Sequence, residues 1–149
     1  MAWDTLKEGL LGELAQRIDS RAEAADQQSL HSLSAAFYSR FPAEDMKGRS
    51  VENLYGCLYG LLRFMREWPD RAPKIRLFNP EIQSHGWESK YTTLVILCRG
   101  IPFTTASVRG ELNRRNLRIH TIASSNLAVN SNEQGELQEI LRGENADRS

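Results

Sequence analysis

The chain has 149 residues, enough for one domain with one core, and is 40% apolar and 26% charged with zero formal net charge. That balance removes the basic excess with which nucleic-acid binders neutralise phosphates. No apolar run approaches the ~20 residues that span a bilayer, and Asp4, Lys7 and Glu8 interrupt any leader-like pattern at the N-terminus.

Trp3, Leu6, Leu10, Leu14 and Ile18 recur at helical spacing and predict a first amphipathic helix. Gly9 and Gly12 weaken it by roughly 1 kcal/mol each relative to alanine, so it depends on packing. Residues 19–28 are polar but alanine-containing and compatible with helix. Leu30, Leu33, Phe37 and Phe41 form a second apolar stripe that Pro42 stops. A polar loop follows, and Ser50 is placed to cap a third helix. In that helix Val51, Leu54, Tyr55, Leu58, Leu61, Leu62 and Met65 make a broad apolar face, ended by Trp68-Pro69-Asp70. Gly56 and Gly60 form a Gly-x-x-x-Gly pair, read here as a site of close backbone contact and not as a membrane dimer motif. Cys57 and Cys98 sit far apart in apolar runs and read as buried thiols in a reducing compartment. The expectation is a cytoplasmic protein without nucleic-acid or membrane partners.

The stretch 74–129 organises the rest. Ile75 and Leu77 alternate with Lys74 and Arg76, a strand with one wet face, and Asn79-Pro80 ends it. Residues 91–98 are apolar or β-branched on both faces and predict a central, doubly covered strand. Arg99-Gly100-Ile101-Pro102 turns the chain, and Thr104 or Thr105 is placed to cap a helix to about Asn116 with Val108 and Leu112 as its buried stripe. Arg114, Arg115 and Arg118 read as a solvated helix end that complements the dipole. From Leu117 the odd positions through Val129 alternate as a long strand, bent near Ser124-Ser125. A turn-rich stretch then leads to a returning antiparallel strand within 136–141, and the tail from Gly143 is polar and frayed. Strand, helix, strand, strand is the first three-quarters of a ferredoxin-like βαββαβ unit, which points to a piece of a longer protein.

Nothing in the chain reads as a reaction centre. It has no Gly-x-Gly-x-x-Gly and no P-loop lysine pattern. It also has no Cys-x-x-Cys or His-x-x-x-His, so metal-ligand spacing is missing. His31, His85 and His120 lie in a polar helix segment, a loop and a wet strand face, and no local feature joins His120 to Ser107 and an acid. Glu44-Asp45 reads as a feature of a helix start rather than an acid–base pair.

Taken together, Leu54-Tyr55-Gly56, Lys74-Ile75-Arg76-Leu77-Phe78-Asn79-Pro80, Gly86-Trp87 with the strand after it, Pro102-Phe103, Ser107-Val108 and Glu111-Leu112-Asn113-Arg114-Arg115 through Ile119-His120 form an ordered set of matches. The set resembles the N-terminal region of the very large bacterial NAD-specific glutamate dehydrogenases and is densest over 54–120. The chain departs from that family at the turn: Arg99 and Gly100 precede Ile101-Pro102-Phe103 where acids are usual, and Ala106 replaces an aspartate.

The resemblance implies an α+β fold, with a helical lead-in over 1–70 packed on a partial ferredoxin-like, ACT-like antiparallel sheet over 71–149, in one compact unit. It implies a non-catalytic regulatory or assembly domain of an enzyme that oxidatively deaminates L-glutamate to 2-oxoglutarate. NAD serves that parent enzyme, and no cofactor belongs to this chain. None of the family's catalytic or NAD-binding residues falls on these 149 positions. The implied partners are the rest of the parent polypeptide, further copies in a homo-oligomer, and a small amino acid held at the turn by Arg99, Gly100, Ile101, Thr104 and Thr105. Exposed N–H groups at the start of the following helix are suited to a carboxylate. The alternatives are a stand-alone structural interaction module without ligand, and an unrelated small hydrolase using His120 or His85.

Overall fold

The computed structural model describes residues 2–100 and 104–141. The side chain of Trp3, the residues Ile101, Pro102 and Phe103, and the tail 142–149 lie outside the described residues.

Three helices hold the core. Helix α1 (Ala2–Arg21) buries Leu14 and Ile18 completely. After a break at Ala22 and Glu23, α2 (Ala24–Tyr38) buries Leu30, Leu33 and Tyr38. A single 3-10 turn, Ala43–Met46, leads to α3 (Val51–Met65), whose Leu54, Leu58 and Leu62 fall on one face at helical spacing and are buried. The Ser50 hydroxyl accepts the Asn53 N–H at 3.1 Å, satisfying one of the donors that a helix start leaves over. Tyr38 reaches across and donates its hydroxyl to the Leu54 carbonyl at 2.8 Å, and its ring meets Phe37 and Phe41 edge-on. On the surface, Glu52 accepts from both Arg17 and Arg21, tying α1 to the start of α3.

Of the Gly-x-x-x-Gly pair of α3, Gly56 makes the close backbone contact expected and Gly60 does not. A Cβ on Gly56 would lie 2.2 Å from the Gly86 carbonyl oxygen, so only glycine admits this approach. Gly86 itself ends the short α4 (Ile82–His85) with φ 78°, a conformation that suits a residue without a Cβ. Trp87 is then buried beside Phe78, ring centroids 6.0 Å apart. The Asn53 side chain pins this segment by bonding both the N–H and the carbonyl of Glu88.

Strands β1 (Lys74–Phe78) and β2 (Thr93–Leu97) pair antiparallel, with Ile75 opposite Ile96 and Leu77 opposite Leu94. The aliphatic face stands in water: Ile75 is 61% and Leu77 68% exposed. On the other face Arg76 is exposed too, but Lys74 donates to the carbonyls of Phe64 at 2.6 Å and Glu67 at 3.0 Å, and Phe78 meets Trp87 edge-on. β2 is therefore not the central, doubly covered strand expected from its apolar run; β1 is its one ladder partner among the described residues.

Helix α5 (Thr104–Arg114) carries no buried residue, and Val108 and Leu112 are half-buried. The long strand expected from Leu117 to Val129 is the larger correction. Residues 117–128 have no regular structure, and the strand β3 is confined to Val129–Ser131. Side-chain bonds to remote groups replace a ladder there: Thr121 donates to Asp45 at 3.0 Å, Ser125 donates to the Ala36 carbonyl at 2.5 Å, and His120 stacks on Tyr91 at 4.0 Å. The returning strand is present as β4 (Leu137–Ile140), antiparallel to β3. Its Ile140 is fully buried in the helical core, and its N–H is bonded by the Ser29 hydroxyl at 3.3 Å. The result is an α+β, ACT-like arrangement whose sheet comes in two separate antiparallel pairs among the described residues.

Candidate ligand pocket at the end of strand β2

Beyond Leu97 the chain leaves the ladder through Cys98 and Arg99 to Gly100. There it borders a pocket of about 290 Å³, close to the lower end of the range for small-molecule sites. Met65 and Trp68 at the end of α3 form one wall. Leu127, Val129 and Leu137 form a second, and Ser125, Asn126 and Ser131 add polar groups.

A tight turn holds these walls in place. Gly135 has φ 81°, and a Cβ on it would lie 2.4 Å from Pro69 Cα. Its carbonyl accepts the Trp68 N–H at 3.0 Å, and Leu137 donates to the Arg66 carbonyl at 2.8 Å. The Asn132 side chain closes the turn by accepting the N–H groups of Gln134 and Glu136. Hence the β3–β4 turn is stitched to the end of α3, and the pocket lies between them and β2.

Arg71 supplies the pocket's charge. It has φ 58°, uncommon for a residue with a Cβ, and its guanidinium lies 5.0 Å from the Trp68 ring centroid. Trp68 is steadied by its indole N–H, which donates to the Ala72 carbonyl at 2.6 Å, and Asp70 accepts the Ala72 N–H at 3.1 Å. The lining thus joins one cation, several hydrogen-bonding groups and aliphatic walls, a donor set suited to a small anionic or zwitterionic molecule.

Of the residues expected to contact a ligand, Gly100 lines this pocket. Arg99 is exposed, and Thr104 and Thr105 are half-buried at the start of α5; none of the three is in the lining. Ile101 lies outside the described residues. Sequence reading missed Arg71, Trp68 and Asn126. Trp68-Pro69-Asp70 was visible as a helix stop, but nothing local shows that the stop is folded against a turn nearly seventy positions later.

The three histidines each have a structural partner. His31 bonds Asp19 at 2.7 Å, His85 accepts the Glu81 N–H at 2.9 Å, and His120 is stacked on Tyr91. Among the described residues no histidine is hydrogen-bonded to a serine, and no three His, Cys, Asp or Glu side chains gather into a metal-binding group. Burial pushes the Cys57 thiol up to about 11 and raises Tyr38 well above its ordinary value, so both stay neutral and inert. Among the described residues no helix is long and apolar enough to cross a membrane.

The described residues form an α+β domain with two antiparallel strand pairs and a small pocket at the end of β2. The chain belongs to the family described as "Glutamate dehydrogenase, ACT1 domain", whose profile matches residues 33–149. It is 34% identical over 138 residues to an NAD-specific glutamate dehydrogenase of Halomonas elongata, covering 93% of this chain and 9% of that protein. It is 36% identical over 105 residues to an NAD-specific glutamate dehydrogenase of Pseudomonas aeruginosa, covering 70% of this chain and 6% of that protein. The chain thus spans less than a tenth of the length of either relative. No solved structure matches it.

Proposed function

We propose that this chain is a non-catalytic N-terminal regulatory or assembly domain of an NAD-dependent glutamate dehydrogenase. The parent reaction is oxidative deamination of L-glutamate to 2-oxoglutarate, with NAD bound elsewhere in the parent polypeptide. The similarity to two much longer NAD-specific glutamate dehydrogenases supports the parentage. The parent works in the cytoplasm as a homo-oligomer.

The observation that carries a regulatory role is the pocket beside Gly100, with Arg71 over Trp68 at its margin. Arg71 pairs with the carboxylate of a small amino acid, Ser125 and Ser131 bond its polar groups, and Leu127 and Leu137 contact its side chain. Arg99, Thr104 and Thr105 take part only through the adjoining turn and the start of α5. Calorimetric titration with a panel of amino acids tests this reading. One chemical class should give heat at or below millimolar concentration, and Arg71→Ala should weaken it at least tenfold. No heat from any member at millimolar concentration would remove sensing and leave assembly as the role.

A further inference from the structure

The outer face of the β1–β2 sheet is aliphatic and open. Ile75 and Leu77 are 61% and 68% exposed, and Leu94, directly opposite Leu77, is 37% exposed. Ile96, opposite Ile75, completes a contiguous cross-strand patch of four branched side chains. Strand alternation keeps every charged residue of both strands off this face. On the opposite side Lys74 is bonded to two carbonyls, and the exposed Arg76 keeps its guanidinium 4.1 Å from the Phe78 ring centroid. Single exposed leucines need no explanation, but a continuous aliphatic patch of this kind marks an interaction surface.

The geometry narrows what covers it. Pro73 and Pro80 bracket the five-residue β1, which also carries Lys74 and Arg76, so its edge is blunted against the addition of another strand. The exposed parts of the patch amount to roughly two whole aliphatic side chains. That is far below the ~800 Å² per partner of a stable free interface, so a second copy is not held by this face alone. A tethered segment needs much less area, because the tether supplies an effective concentration in the ~mM range. The polar tail 142–149, with Ala146 its one aliphatic residue, has no apolar stripe to offer. Relatives more than ten times as long have ample chain for the purpose.

We propose that the Ile75, Leu77, Leu94 and Ile96 face is the docking site for an amphipathic segment of the same polypeptide lying outside these 149 residues. The segment lays an uncharged aliphatic stripe across both strands. This inference rests on the reading of the chain as one domain of a large glutamate dehydrogenase subunit.

The test places the photo-cross-linker p-benzoylphenylalanine at position 77 of the polypeptide as the cell makes it, coexpressed with a differently tagged wild-type copy. Leu77 is exposed enough to tolerate the change. After irradiation, the expected product joins position 77 to a peptide outside 1–149 of the same chain. The same label at Arg109 on α5 should not form it. A cross-link to the tagged copy, a cross-link within 1–149, or no cross-link at all overturns the proposal. Intact mass of the same sample separates the two readings. A product near 16.9 kDa removes the glutamate dehydrogenase parentage and this inference with it. A product many times larger with position 77 unlinked overturns this inference alone.

Discussion

Gly56 and Gly60 lie one turn apart on α3, and alanine at the two positions should move stability in opposite directions. At Gly56 the added methyl would sit 2.2 Å from the Gly86 carbonyl oxygen, 2.8 Å from its carbonyl carbon and 3.0 Å from Trp87 Cβ. The nearest two atoms are backbone and cannot rotate away, so α4 and the Trp87 segment must shift. Overpacking of this kind costs about 1–3 kcal/mol, and backbone contacts this short place it near the upper end. The intrinsic helix gain of alanine over glycine returns about 1 kcal/mol, leaving a net loss of ~2 kcal/mol. At Gly60 the nearest atom is Trp87 Nε1 at 3.9 Å, an ordinary contact. There the helix gain of about 1 kcal/mol stands almost unopposed. Urea unfolding followed by tryptophan fluorescence reads both, and the midpoints should move apart without a change in slope. A Gly56→Ala protein as stable as the wild type, or more so, would refute the close-packing argument for α3 and α4.

Three further outcomes are expected. Ser50→Ala removes the hydroxyl that accepts the Asn53 N–H and should cost about 1 kcal/mol in the same unfolding assay, while Ser50→Asp should retain most of it. Cys57 is raised by burial from 9.0 to about 11, so the unfolded chain releases this proton first. The contribution of the buried thiol is intact below pH 9 and lost as pH rises toward 11, and iodoacetamide should spare Cys57 in the native protein at pH 9. Glu111 is held at about 2 by hydrogen bonds from Arg114 and Arg115, against an ordinary 4.5. Its pairing at the end of α5 should persist above pH 4.5 and disappear as pH falls through about 2, a step that carbon-13 NMR of the Glu111 carboxyl would show directly.

Much of the helical half was legible in the residues. The 3.6-residue stripes named Leu14, Ile18, Leu30, Leu33, Leu54, Leu58 and Leu62, and all are in the observed core. Ser50 is a cap and Gly56 a contact point because a helix presents both needs locally, within three or four residues. The second half was legible in kind but not in placement. The residues 117–128 alternate as a strand would, yet their hydrogen bonds run to Asp45 and Ala36, 76 and 89 positions earlier. An alternating pattern says which side chains share a face; it does not say whether a neighbouring strand is there to pair with the backbone.

The faces of β1 show the same division. Alternation of Ile75 and Leu77 with Lys74 and Arg76 separated the two faces of the strand, but the expected single wet face is not what forms, since Ile75, Arg76 and Leu77 are all exposed. That the aliphatic face is open goes with Lys74 reaching the carbonyls at the end of α3 and Phe78 meeting Trp87 edge-on, contacts the alternation could not show. The pocket arose likewise: Gly100, Arg71 and Asn126 are unremarkable in their own segments, and meet because Gly135 folds its turn onto Pro69. Local spacing therefore set the helices, their caps and the family likeness, because those energies act within a few residues. The open aliphatic face and the pocket followed from contacts between distant segments, which exist only once the chain has closed around the core.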